Sequence, residues 1–191
     1  MSSRHDIVII GGGTAGITVA AQLVEHARAS ANSSAMPDIA IIEPSDKHYY
    51  QPIWTLVGGG VFDREVSVRA EADFIPDGVT WIRDRAEIFQ PEQNAVITGS
   101  GDTIHYEVLI VAPGIQLDWG EIRGLRQALG TDGVCSNYSY DTVETTWRFL
   151  REMDRGNAVF TFPATPIKCA GAPQKIMWLA EHHLRRRGVR D

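Results

Sequence analysis

The sequence predicts an α/β fold built on a parallel sheet, and three features carry that prediction. Ile7–Ile10 is an unbroken run of β-branched residues, the mark of a strand buried on both faces. Gly11, Gly13 and Gly16 follow at G-x-G-x-x-G spacing, and a helical pattern runs on from Ile17. A second apolar run, Ile39–Ile42, completes a β-α-β order, which calls for parallel strands.

Strand, glycine turn and helix in this order are the context a dinucleotide fingerprint needs. Gly11 permits the tight turn, Gly13 lets backbone approach a pyrophosphate, and Gly16 lets helix pack on strand. The diphosphate then meets free N–H groups at the positive end of a helix expected over residues 14–27. Residues 29–38 are small and polar and read as a loop. Glu43 ends the second strand, where an acidic residue normally holds a ribose hydroxyl; a solvated strand-end carboxylate is the alternative.

Residues 44–60 (PSDKHYYQPIWTLVGGG) are aromatic and glycine-rich without a period, and read as an ordered loop. Such a loop suits the wall of a large flat cofactor, or a surface loop pinned by Tyr49, Tyr50 and Trp54. Strands are expected at Val79–Ile82 and from Ala86 to Phe89, then a hairpin of Ala95–Thr98 with Thr103–Tyr106. A small antiparallel crossover follows from that hairpin. Glu107–Ala112 returns as a buried strand and stops at Pro113-Gly114, so that Ala112, Pro113 and Gly114 bring backbone close to a bound cofactor.

A helix is expected over residues 139–151, with Val143, Trp147 and Leu150 at i, i+4, i+7, then a strand at Ala158–Phe162. The turn after that strand reads PATPIKCAGAP, residues 163–173, and leads into a helix over residues 174–187. Prolines and Cys169 stand where phosphate-binding glycines would be, so the unit is laid out like a nicotinamide site without its chemistry. Lys168 and a following helix N-terminus favour the thiolate of Cys169; a buried inert cysteine is the alternative. The His182, His183 and Arg185–Arg187 cluster reads as a solvated helix end.

The chain has 191 residues, room for one domain and part of a second. A net charge of −6 argues against general nucleic-acid binding. No run reaches the ~18 apolar residues of a membrane span, and Met1 lies too close to the first strand for a signal peptide, so a soluble cytoplasmic protein is expected. Only Cys135 and Cys169 are present, too few for a disulfide scaffold, and the histidines show no metal spacing.

Three stretches carry a family resemblance: residues 43–60, Ile115–Asp118 after the A-P-G stop, and residues 161–177 (TFPATPIKCAGAPQKIM), the last being the most specific. The chain resembles, end to end, the N-terminal part of the sulfide:quinone oxidoreductases, in particular their mitochondrial-type branch, within the disulfide-reductase superfamily of two-dinucleotide-domain flavoproteins. The resemblance implies a Rossmann-like FAD-binding domain over residues 1–134 and the start of a second, truncated one over 135–191. It implies that Thr14, Ala15, Glu43 and Gln51 contact FAD and that Ala86 offers backbone to the adenine. It makes Cys169 one of two redox cysteines. Sulfide attacks their disulfide to leave a persulfide and a thiolate, the persulfide sulfur goes to an acceptor, and electrons pass through the flavin to a quinone. Some relatives bond a cysteine near position 135 to the flavin, which makes Cys135 the candidate, although the mitochondrial-type branch generally lacks that bond.

Family members continue past this length with the partner cysteine, the quinone pocket and a membrane-docking segment. A fragment inactive alone is therefore expected, peripheral to the inner membrane only in full-length form. A type-II NADH:quinone dehydrogenase would need a second glycine fingerprint, and a flavocytochrome sulfide dehydrogenase subunit would usually carry an export signal. A non-catalytic flavin-binding remnant is the alternative outside the enzymes.

Overall fold

The computed structural model describes residues 2–30, 36–162 and 166–190. The chain forms two compact units, one of residues 1–48 with 69–114 and the other of residues 49–68 with 115–191. Residues 49–68 pack with the later part of the chain, because Tyr49, Ile53, Trp54 and Val57 share a core cluster with Tyr140 and Val143.

The first unit holds a six-stranded sheet. Its strands are β1 (Ser2–Ile10), β2 (Ile39–Ile42), β5 (Val79–Ile82), β6 (Ala86–Gln90), β7 (Ala95–Thr98) and β8 (Thr103–Val111), in the order β5-β2-β1-β8-β7-β6. Strands β5, β2, β1 and β8 run parallel, and β7 is antiparallel to both β8 and β6. The parallel sheet with an antiparallel crossover is thus as expected. One difference is that the second arm of the hairpin and the returning strand are the single strand β8. Another is exposure: Val108 and Val111 are 51% and 57% exposed, not buried. Among the described residues, β7 pairs with Thr103–His105, the Tyr106 N–H donates to the Asn94 carbonyl, and the later half of β8 has no strand beside it there.

Alternation along β1 explains both faces of the sheet. Ile9, with Ile39 and Ile41, packs on Ala20 and Val24 of helix α1 (Thr14–Ala29). Val8, Ile10 and Ile42 point the other way, against Val96, Ile104 and Tyr106 of the antiparallel strands. The continuous apolar run in β1 follows from its being covered on both sides. Truncating the fully buried Ile9 to Ala costs about 2–5 kcal/mol.

The chain leaves the first unit and returns through two short strands, β3 (Lys47–Tyr49) and β4 (Val68–Ala70), which pair. The aperiodic stretch between them holds a 3₁₀ turn at Gln51–Ile53 and a short helix α2 (Trp54–Gly58). The second unit adds α3 (Leu125–Ala128), α4 (Val143–Glu152) and α5 (Ala172–Arg186). Trp54 and Val57 of α2 pack with Val143, and Leu150 of α4 packs with Ile176 and Ala180 of α5. The Trp54 indole N–H is satisfied by the Ser67 hydroxyl at 3.0 Å.

The expected strand at Ala158–Phe162 is not formed. Its residues have strand character, but a strand exists only as part of a hydrogen-bonded ladder, and among the described residues none pairs with it. Val159 is 80% exposed as a result. The arginines at the end of α5 are also more than a solvated terminus. Arg187 donates to the carbonyls of Arg151 and Met153 at 2.8 and 2.9 Å and to Asp154 Oδ1 at 2.7 Å, closing the free carbonyl end of α4.

Candidate functional site

Strand order locates a crevice. From β1 the chain passes through α1 to β2 on one side, while β8 flanks β1 on the other, so connections diverge between β1 and β8. Open α/β sheets bind ligands at such a switch point, beyond the carboxyl ends of the strands. The strand ends are tied in sequence there. The Gly11 N–H donates to the Ile42 carbonyl at 2.9 Å, Ala112 N–H to that of Ile10 at 2.8 Å, and Glu43 N–H to that of Ile82 at 3.1 Å.

Each glycine of the turn has a different reason. Gly11 has φ +97°, and a Cβ on it would lie 2.4 Å from the Ala112 carbonyl oxygen. It packs directly on the A-P-G stop, with Pro113 Cα 3.0 Å from the same point. A Cβ on Gly16 would meet the Gly11 carbonyl oxygen at 1.9 Å, so the helix can approach its strand only through glycine. Gly13 is the opposite case: a Cβ there would have nothing within 4 Å. Gly13, Thr14 and Ala15 are exposed while Gly11, Gly12 and Gly16 are buried. The open part of the turn is therefore the first turn of α1, which has no side-chain cap and no acidic residue.

Glu43 is fixed beside this opening. Its Oε2 accepts from the Gly12 N–H at 2.8 Å and its Oε1 from the Ser45 N–H at 2.7 Å. Two backbone bonds leave about half of a carboxylate's acceptor sites free for hydroxyl groups. The Trp81 indole, donating to the Glu43 carbonyl at 2.9 Å, holds the strand end from the other side. The residues fit a dinucleotide: an exposed helix N-terminus for phosphate, an anchored acceptor for ribose, and an open space at Gly13. Ala86 begins β6 and packs on the cluster of Val8, Ile10 and Ile42, and Gly114 follows the stop with φ +74°.

Glu71 and His48 were not indicated by the sequence. Glu71 is 1% exposed, and its carboxyl occupies the side-chain volume that Gly12 lacks: a Cβ on Gly12 would lie 2.4 Å from Glu71 Oε1 and 2.7 Å from Glu43 Cγ. Its Oε2 is 3.2 Å from His48 Nδ1, and Phe74 packs on the His48 ring with centroids 4.8 Å apart. Among the described residues Oε1 has no hydrogen-bond partner. Burial pushes the Glu71 carboxyl upward in pKa, His48 opposes this, and the neighbouring Glu43 adds to it. The only sequence signal was Gly12 itself, a glycine at a motif position that does not require one.

Gln51 and Cys169 lie in the second unit. Lys168 Nζ donates to Gln51 Oε1 at 2.5 Å, which ties the start of the 3₁₀ turn to the residue before the cysteine. Burial lowers the pKa of Lys168, against the charge of a Cys169 thiolate. Cys169 is exposed, and its carbonyl accepts from the Ala172 N–H at 3.1 Å and the Tyr138 hydroxyl at 3.3 Å. The Tyr138 phenol is shifted upward by burial first and by Cys169 second. Cys135 is half-buried, and neither cysteine is in a disulfide. A hollow of about 380 Å³ in this unit is lined by residues such as Phe62, Glu144, Trp147 and Arg148, and by none of the expected site residues. Among the described residues no cluster could hold a metal ion.

The family model for pyridine nucleotide-disulphide oxidoreductases matches residues 5–155. A sulfide:quinone oxidoreductase of Dictyostelium discoideum is 51% identical over 186 residues, 97% of this chain and 40% of the relative. That of Mus musculus is 46% identical over 188 residues, 98% of this chain and 40% of the relative. The chain thus spans about two fifths of the length of these relatives. The solved sulfide:quinone oxidoreductase of Aquifex aeolicus matches with a TM-score of 0.71 at 23% identity, over 97% of this chain and 41% of that one, a likeness of fold. Both curated relatives are named as mitochondrial, so the expected cytoplasmic location finds no support among them. That expectation rested on span and signal-peptide patterns, which do not separate cytosol from organelle; among the described residues no helix is long and apolar enough to cross a membrane. With the family's model matching most of the chain and its glycine turn set at the switch point of a parallel sheet, the chain belongs to the pyridine nucleotide-disulphide oxidoreductase family.

Proposed function

We propose that these residues form the FAD-binding part of a sulfide:quinone oxidoreductase, which oxidises sulfide to sulfane sulfur and passes the electrons to a quinone. The observation that carries the reading is the turn at Gly11–Gly16, open only at Gly13–Ala15 and flanked by the anchored Glu43. Relatives named for that activity support it at 51% and 46% identity. Backbone N–H groups of Gly13, Thr14 and Ala15 hold the diphosphate, and Glu43 accepts from the ribose. Ala112, Pro113 and Gly114 let backbone approach the ligand, and Ala86 faces the adenine with its backbone. FAD, when bound, supplies the two-electron chemistry, and the protein positions it.

Cys169 is the redox thiol in this reading. It is exposed, so sulfur can reach it, and thiol exchange there depends on its thiolate fraction. A sulfur acceptor and a quinone are the remaining partners, with peripheral contact to the mitochondrial inner membrane and a second dinucleotide-domain-like unit beginning near residue 135. On this account the 191 residues hold flavin but do not turn over sulfide by themselves.

The test is made in a protein of the relatives' length that carries these residues. Cys169→Ser abolishes sulfide-dependent quinone reduction while flavin absorbance stays at the wild-type level, and Cys135→Ser costs far less. Retained sulfide oxidation in Cys169→Ser refutes the assignment.

A further inference from the structure

We propose that Glu71 is a positioning residue of the dinucleotide site, acting on the ligand through Gly12 and Glu43 without touching it. This rests on the reading that the turn holds FAD, and it concerns a residue in which neither the glycine fingerprint nor the ribose-binding position has a part.

The geometry leaves Glu71 no direct route to a ligand. Its carboxyl is enclosed, 2% exposed as a side chain, and it lies against the side of Gly12 on which Glu43 also lies. Gly12 in turn donates its N–H to Glu43, so a change at Glu71 reaches the ribose-facing carboxylate through one backbone unit. The Glu71 N–H donates to the Asp46 carbonyl at 2.9 Å, which fixes its backbone in place. The titratable groups facing the carboxyl are Glu43 across Gly12 and His48 on Oε2. Among the described residues Oε1 has no partner, a costly state for a buried charged oxygen and a mild one for a neutral acid.

Uncharged Glu71 leaves Glu43 as the single negative charge beside the turn. Ionised Glu71 puts a second one there, next to a site meant for a diphosphate, and drives the two carboxylates apart against the Gly12 contact. The ligand therefore binds the neutral form better. By linkage its affinity is highest at low pH and falls as pH rises through the Glu71 titration, tenfold for each unit by which binding raises that pKa. Burial raises the Glu71 pKa in the ligand-free protein, which moves this fall upward from the usual carboxylate value.

The experiment is a flavin-fluorescence titration of the 191-residue chain with FAD from pH 5 to 9, for the wild type and Glu71→Gln, an isostere that cannot ionise. Expected is a wild-type dissociation constant that rises about tenfold across the range, against a flat profile in Glu71→Gln at the wild type's low-pH value. If Glu71→Gln fails to fold, Glu71→Leu, equally unable to ionise, must give the flat profile. A parallel profile in the variants, displaced or not, overturns the proposal, since the titration then belongs to another group and Glu71 is only structural. A wild type that binds FAD with no pH dependence overturns it while leaving the FAD reading intact. A wild type that binds no FAD at any pH overturns both.

Discussion

At the scale of single residues, the turn separates glycines whose side the fold fills from Gly13, whose side is open. Gly16→Ala sets a methyl group 1.9 Å from the Gly11 carbonyl oxygen, so helix α1 must move off its strand. The expected cost is about 1–3 kcal/mol, read as a fall in the denaturant midpoint at unchanged slope. Glu71 gives a second prediction at this scale, with the sign set by its raised pKa. Between the unfolded and folded pKa values the native state holds the extra proton, so the stability Glu71 allows is present at low pH and lost as pH rises. Glu71→Gln should therefore raise the melting temperature at pH 8 by more than at pH 5. An equal shift at both values would mean that Glu71 is ionised in the fold throughout.

At the scale of elements, Asp84 pins the turn between β7 and β8. Its Oδ1 accepts from the Arg85 N–H at 2.8 Å and its Oδ2 from the Ser100 N–H at 3.0 Å. Hydrogen bonds from Thr98, Ser100 and Arg85 hold its pKa far below the ordinary carboxylate range. A depressed pKa contributes stability above the unfolded value that is lost as pH falls below it. Asp84→Asn should accordingly lower stability at pH 7 and converge on the wild type in acid, measured by thermal melts at both ends. The same scale shows what the sequence made legible. Runs with a single period and firm punctuation, such as Ile39–Ile42 and Val79–Ile82, form as strands at those bounds, and the glycine spacing located the turn. Ala158–Phe162 failed because pairing partners are a property of the sheet and not of five apolar residues. Helix α2 was hidden in an aperiodic aromatic stretch, since Trp54 and Val57 are buried against Val143, some ninety residues later. Glu71 was hidden for a related reason: in sequence it sits in a charged, surface-like segment, and only the fold brings it to Gly12.

At the scale of the whole molecule, the glycine turn lies in the first unit and the exposed Cys169 in the second. Residues 166–173, which precede and open α5, carry no glycine fingerprint for a second dinucleotide, so NADH at micromolar concentration should leave a bound flavin oxidised in stopped-flow absorbance. Rapid bleaching would favour the dehydrogenase reading instead. The central claim, that the first unit binds FAD at the turn of β1 and α1, is tested most directly by titrating the apo chain with FAD while following quenching of flavin fluorescence. Gly13 is exposed and its missing Cβ points into open space, so Gly13→Val leaves the fold in place and fills the space over the helix N-terminus. The account predicts saturable binding in the wild type and at least a tenfold weaker affinity, about 1.4 kcal/mol, in a Gly13→Val chain with an unchanged circular dichroism spectrum. Equal affinities in the two proteins, or no binding in a folded wild type, would contradict it.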